Sequence, residues 1–243
     1  MTRSDRGIDL SLVRKVNQVL RKAVIPAAGL GRRMSSLTGG APKEMLPLAG
    51  RPIIHHVVQE AIDAGIVEIC IVIHKSKEEV RRYFESDNRE AGEAERIGET
   101  LQSRCNIVFA YQREPRGVGD AVLCAKAFAG NERFALLIPD QLFIGRTGAI
   151  RQLASKNLPP TAVVSSLIRI PASELEYFPG ARKFVCEPHA AQSGVMVVTG
   201  IEPTEQAASA PAPRGFGRTI YPRRCFSSSM NGSPTGGPEK LIY

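Results

Sequence analysis

The sequence predicts an α/β domain built on a Rossmann-like, mostly parallel sheet covered by helices. Two observations carry this: short apolar runs alternate with helical periods between residues 23 and 168, and their spacing leaves a helix between successive strands, a pattern that right-handed crossovers join. A third is a glycine turn directly after the first apolar run, because ligands in such sheets sit at the carboxyl ends of strands.

Leu12, Val16, Val19 and Leu20 follow Asp9 at helical spacing and predict a short amphipathic helix ahead of the first strand. Ala23 to Ala28 is an apolar run that stops at Gly29-Leu30-Gly31, a buried strand ending in a turn. Pro52 opens a helix with Ile53, Ile54, Val57, Val58, Ala61 and Ile62 on one stripe, and Gly65 closes it. Glu68 to Ile73 is a β-branched strand, followed by a charged helix over Lys77 to Ser86. Asp87 to Ser103 is polar and reads as a surface connection or a frayed helix. Beyond it, strands at Ile107 to Tyr111, Phe134 to Ile138 and Thr161 to Ile168 alternate with helices at Gly119 to Phe128 and Gly148 to Ser155. After Pro171 the alternation stops. Gly194 to Thr199 reads as a strand, Gly217 to Ile220 as a short one, and Ser227 to Gly237 as loop.

The chain has 243 residues, 43% apolar and 23% charged, which is ordinary globular usage and excludes a disordered or collagen-like chain. No apolar run approaches about 18 residues and the N-terminus lacks a secretory pattern, so no membrane partner is expected and the expected compartment is cytoplasmic. Five scattered cysteines without C-x-x-C read as buried or free thiols. The net charge of +8 is concentrated at one end, where residues 1 to 51 hold ten Lys/Arg against three Asp/Glu. A basic end suits phosphate ligands. Nucleic acid is not expected as a partner, because there is no basic recognition helix and no aromatic platform. The mixed charge run from Lys75 to Glu99 reads as a solvated face, and the adjacent His55-His56 point apart on their helix, against a shared metal.

The motif that carries chemistry is Ala27-Ala28-Gly29-Leu30-Gly31-Arg32-Arg33-Met34. Glycines let backbone approach a ligand, and consecutive N–H groups there can cradle phosphates. It is neither a dinucleotide fingerprint, which needs Gly at Met34, nor a Walker loop. Gly29 and Gly31 alone also fit an ordinary strand-to-helix turn. Arginines inside the loop and Pro42-Lys43 beyond it favour a triphosphate, whose leaving pyrophosphate gathers charge in the transition state.

AAGLGRRM, followed by APKEMLPLAGRPIIHHVVQEAIDAGI, closely resembles the signature of sugar-1-phosphate nucleotidyltransferases, and KEMLPL resembles the branch that uses UTP and glucose 1-phosphate. Gln112-Arg113-Glu114-Pro115, Gly117 to Leu123 and Ala135 to Asp140 match in order. The resemblance runs from about Ala23 to Leu142 and thins from Val163. It implies the nucleotide-diphospho-sugar transferase type of fold, with a helical extension over 1–22 and one domain over 23–243. Within that domain, 23–168 would bind nucleotide and 169–243 sugar, the latter shortened at its C-terminal end.

By the same resemblance, Ala28, Gly29, Leu30 and Gly31 wrap the triphosphate, and Arg33 and Lys43 act on the phosphates as catalytic cations. Gln112 reads the base edge and Gly117 lets the base approach the backbone. Asp140 binds Mg²⁺, although a lone aspartate after a strand also fits a helix cap or a solvated acid. Gly194 and Glu202 hold the sugar. The implied partners are UTP and a sugar 1-phosphate, a homo-oligomer is left open, and the implied products are UDP-glucose and pyrophosphate. A thymidylyltransferase acting on dTTP, or a catalytically impaired nucleotide-binding relative, remain the alternatives. The sequence departs from the family at Arg32, where a threonine is common, and at Asp120, where a histidine is frequent. It also departs at Glu202-Pro203, which lacks the lysine of the family's E-K-P. The Asp120 change is expected to leave Gln112 and Gly117 untouched.

Overall fold

The computed structural model describes residues 20–31, 39–85, 101–156, 158–171, 173–174, 183–202, 213–223, 225–226 and 241–242. The helix expected over 12–20 and the loop over 227–237 lie outside the described residues, apart from Leu20.

Strand β1 (Lys22–Pro26) lies between β4 (Glu68–Ile73) and β6 (Phe134–Leu137), and β5 (Asn106–Tyr111) flanks β4; all these pairings are parallel. A small separate ribbon pairs β2 (Pro47–Leu48) with β3 (Arg51–Pro52). Helix α1 (Ile53–Asp63) starts at Pro52, which supplies the φ of −60° a helix entrance needs, and ends before Gly65 at φ 89°. Helix α2 (Glu78–Glu85) follows a 3-10 turn at Lys75–Lys77. The single helix expected over 119–128 is two, α3 (Val118–Cys124) and α4 (Lys126–Ala129), separated by Ala125. Helix α5 (Ala149–Ala154) precedes β7 (Val164–Arg169).

The strands alternate between two cores, as their period of two requires. Ala23, Ile25, Ile69, Ile71 and Ile73 pack with Ile54, Val57, Val58 and Ala61 of α1 and with Val80 and Phe84 of α2. On the other face Val24, Cys70 and Val72 pack with Ala121 and Val122 of α3 and Ala129 of α4. This is the mostly parallel, helix-covered sheet read from the sequence.

The second half of the chain departs from the expectation. A strand β8 (Lys183–Pro188), unread in the sequence, pairs antiparallel with β9 (Met196–Glu202). The short strand expected over 217–220 is a nine-residue strand, β10 (Pro213–Tyr221), inserted antiparallel between β6 and β7. Its polar and glycine content hid it, because its inward residues include a buried arginine, Arg218, rather than an apolar alternation. The two residues of β11 (Leu241–Ile242) pair with β7 and β9. The sheet order is β5-β4-β1-β6-β10-β7-β11-β9-β8, with only β9 and β10 running against the rest.

All five thiols are free, as expected. Cys70 is buried and burial pushes its thiol up to about 12, so it stays protonated and inert.

His55 on α1 is 1% exposed and both ring nitrogens are engaged. The Arg51 guanidinium donates to Nε2 at 2.9 Å, so Nδ1 carries the proton and donates to the Tyr83 hydroxyl at 2.9 Å. Burial first, then the charges of Arg51 and His56, lower its pKa from 6.5 to about 4. The folded protein therefore holds His55 neutral where an unfolded chain takes up a proton. Its contribution is complete above pH 6.5 and is lost as pH falls from 6.5 toward 4, by about 3 kcal/mol at full extent. Urea melts across pH 4–8 should show wild type losing more stability in that window than His55→Gln. Parallel curves would remove His55 from this role.

Candidate functional site

The carboxyl ends of β1, β4, β5 and β6 face one edge of the sheet, because those strands are parallel. The chain moves from β1 to β4 and β5 on one side and returns to β6 on the other, which makes β1/β6 a topological switch point. The loop after β1, Gln112 after β5 and Asp140 after β6 all project from this edge.

The first cluster is at the switch point. Lys43 sits in a 3-10 turn (Lys43–Met45), and its Nζ donates to Asp140 Oδ2 in a direct ion pair. Gly31 has φ 62°, and a Cβ there would lie 3.5 Å from Lys43 Cδ, so the lysine stem runs under the end of the glycine loop. The structure thus joins Gly31, Lys43 and Asp140. Arg33 lies outside the described residues.

The second cluster surrounds the base-reading candidate. Gln112 is 2% exposed and its backbone N–H donates to Ile73 O, continuing the β4 pairing. Its Nε2 donates to Gly117 O at 3.2 Å and to Asp120 Oδ2 at 2.7 Å. A carbonyl and an ionised carboxylate only accept, so the nitrogen must face them and Oε1 is left as acceptor. Gly117 caps α3 at φ 109°, backbone that favours glycine. The expectation that Asp120 leaves Gln112 untouched is therefore corrected: Asp120, in the first turn of α3, fixes the glutamine amide.

Gly194 lies between β8 and β9 at φ 73°, and Glu202 ends β9, its side chain outside the described residues. No hydrogen bond among the described residues connects Gly194 to Lys43 or Asp140.

Sequence reasoning missed three buried cations, Lys77, Arg214 and Arg218, of which Lys77 and Arg218 bear on the site. The charge run beginning at Lys75 was expected to be solvated, yet Lys77 is 4% exposed. Its Nζ donates to Glu44 Oε2 at 2.7 Å and to the carbonyl oxygens of Ala27 and Gly29 at 2.8 and 2.5 Å. Burial lowers its pKa while the Glu44 carboxylate raises it, with a net lowering. The charges of α2 lie on its solvated side as expected, with Arg81 paired to Glu78 and Glu85. Arg218 is fully buried; its Nε and Nη2 grip Glu60 Oε2 of α1 at 2.9 and 2.7 Å, and Nη1 donates to Ile138 O and Gly217 O. Ile138 stands two residues before Asp140, so this clamp ties the Asp140 loop to β10 and α1. A lysine three residues before an apolar Val-x-x-Tyr-Phe stripe was the available signal for Lys77; nothing local marked Arg218.

For a metal, the described residues hold no group of three His, Cys, Asp or Glu. Asp140 nevertheless faces a cation, the Lys43 ammonium, which shows that its carboxylate is placed to neutralise positive charge. A single carboxylate suits a hard ion such as Mg²⁺, which keeps most of its shell as water and phosphate oxygen.

The profile described as Nucleotidyl transferase matches residues 22–175. The chain belongs to this family. A Bacillus subtilis protein named UTP–glucose-1-phosphate uridylyltransferase is 43% identical over 142 residues, covering 55% of this chain and 48% of that protein. A second of that name from the same organism is 36% identical over 163 residues, covering 64% and 56%. The chain thus spans about half the length of the curated relatives it matches. Among solved structures, a UDP-glucose pyrophosphorylase complexed with UDP-glucose superimposes with a TM-score of 0.70 at 26% identity, covering 84% of this chain and 76% of that one. A UTP-bound enzyme of the same kind from Acinetobacter baumannii gives 0.67 at 29% identity, covering 84% and 75%. The family's matched region contains the glycine loop, Lys43, Gln112, Gly117 and Asp140, and no described helix is long and apolar enough to cross a membrane.

Proposed function

We propose that this chain is the nucleotidyltransferase part of a uridylyltransferase that joins UTP and glucose 1-phosphate into UDP-glucose and pyrophosphate. The orientation of the Gln112 amide carries the reading. Its free Oε1 accepts from a base N–H, which the N3–H of uracil supplies and which N1 of adenine, an acceptor, does not. The names of the relatives support the same base and sugar. Thymine offers the same N3–H, so dTTP is the competing nucleotide.

In this reading the loop from Ala28 to Arg33 and Lys43 receive the triphosphate, and Gly194 and Glu202 receive the sugar. Asp140 would hold Mg²⁺, which when bound supplies charge neutralisation at the phosphate oxygens. The sugar phosphate is already ionised at neutral pH, so its oxygen attacks the α-phosphorus without a general base. What the chain contributes is alignment of the two phosphates and cations beside the departing pyrophosphate. A cytoplasmic location fits these soluble substrates.

Calorimetry of the chain with UTP, dTTP, CTP and ATP in Mg²⁺ buffer tests the base assignment. UTP should bind at least tenfold more tightly than CTP or ATP, which place acceptors opposite Gln112 Oε1. Equal affinities would discard Gln112 as the base reader. Asp120→Ala should narrow the discrimination by freeing the amide to turn over. An unchanged ratio would show that Gly117 O alone orients it.

A further inference from the structure

Lys77 is the most deeply held ammonium at the ligand edge of the sheet, and the reaction as read above makes no use of it. All three of its N–H donors are spent, on Ala27 O, Gly29 O and Glu44 Oε2. Glu44 is 1% exposed and belongs to the turn that carries Lys43, so one ammonium fastens the start of the glycine loop to that turn. Glu44 Oε1 has no protein partner.

The consequence for the loop follows from peptide geometry. No peptide bond here is cis, and in a trans peptide the C=O and the following N–H point in opposite directions. Pinning Ala27 O onto Lys77 turns the Ala28 N–H away from the ammonium, and pinning Gly29 O does the same for the Leu30 N–H. Among the described residues no backbone carbonyl accepts from either N–H. Ala28 is 1% exposed, whereas Gly29 and Leu30 are exposed, so the loop is open at Leu30, whose N–H points away from Lys77. Glu44 balances the lysine charge, which leaves orientation of the peptides as its effect rather than its own field.

We propose that Lys77 is a positioning residue for nucleotide binding: it holds the Ala27 and Gly29 carbonyls inward so that the Leu30 N–H, on the exposed part of the loop, stands ready for a phosphate oxygen of the triphosphate. This rests on the reading of the site as a nucleoside triphosphate site. Without the strut, the glycine-containing loop is free to turn a peptide over and aim a carbonyl oxygen at the phosphates.

Lys77→Met combined with Glu44→Met removes the pair while leaving net charge and volume nearly unchanged, an exchange that buried ion pairs often tolerate. Calorimetry with UTP and with inorganic tripolyphosphate, and NMR titration with uridine, would be run on wild type and the double variant. The expected result is a loss of at least tenfold for UTP and for tripolyphosphate, with uridine affinity within twofold of wild type. Equal loss for uridine means a general structural effect and overturns the strut, as does unchanged UTP affinity. Wild type that binds tripolyphosphate but does not prefer UTP over ATP overturns the uridylyltransferase reading and leaves the strut standing; wild type that binds neither UTP nor tripolyphosphate overturns both. Should the double variant not fold, wild type decides alone. The Leu30 amide shift must move downfield on adding tripolyphosphate, and an unmoved amide sinks the proposal.

Discussion

Arg218→Met is expected to destabilise the fold by about 3–5 kcal/mol, the range for breaking a buried ion pair by removing one partner. The guanidinium is fully buried and makes two bonds to Glu60, so the substitution strands a carboxylate whose side chain is only 11% exposed. It also takes a donor from Ile138 O and Gly217 O, both at 2.9 Å. Arg218 stands over the Phe143 ring at 5.3 Å, and that contact with the segment after Asp140 goes as well. Differential scanning calorimetry should show a midpoint lower by roughly 10 °C for a domain of this size. Adding Glu60→Met should recover part of the loss, since no lone charge remains buried. Lysine at 218 should fall short of wild type because it lacks the planar fork that meets one carboxylate with two N–H groups. A midpoint for Arg218→Met equal to wild type would show that Glu60 finds water or another donor.

Lys43→Met is expected to leave the fold intact and to slow the proposed reaction by roughly 10²–10³, the size of effect for removing one preorganised charge contact. Its ion pair with Asp140 is partly solvated, with side chains 18% and 39% exposed, so the loss costs little stability. The asymmetry with Arg218 is one of burial. If Lys43 acts on charge that grows on the leaving pyrophosphate, kcat for pyrophosphate release from UTP and glucose 1-phosphate falls more than UTP affinity does. A raised KM with unchanged kcat would restrict Lys43 to ground-state binding. Asp140→Asn should weaken the Mg²⁺ dependence of UTP binding while leaving Lys43 in place; a Mg²⁺ titration unchanged by that substitution would remove Asp140 from the metal's surroundings.

The three cations differ in kind. Lys43 is accessible and able to exchange Asp140 for a ligand. Lys77 and Arg218 are closed into the protein with every side-chain nitrogen hydrogen-bonded, one behind the glycine loop and one behind the Asp140 loop. Such groups act by fixing backbone, and their removal is felt first in geometry.

By itself the sequence determined what depends on neighbours along the chain. The period-two alternation of Ala23-Val24-Ile25 and of Ile69 to Ile73 gives strands with two apolar faces, and the stripe Ile54, Val57, Val58, Ala61 gives α1. Pro52 and Gly65 bound that helix, and the glycine turn over 29–31 after the first strand was legible from its residues, while Lys43, Gln112, Gly117 and Asp140 entered as site candidates through the family resemblance. Tertiary structure decided the contacts that join distant segments. Arg218 meets Glu60 across 158 residues and Lys77 meets Glu44 across 33, and no local pattern states which carboxylate will compensate a buried cation. The same holds for β10, whose place between β6 and β7 is set by strand pairing across the sheet. Its glycines and arginines read as a weak strand until β6, β7 and Glu60 are there to receive them. Periodicity is written along the chain, whereas burial of a charge is favourable only where the fold supplies its partner, and that partner is a property of three dimensions.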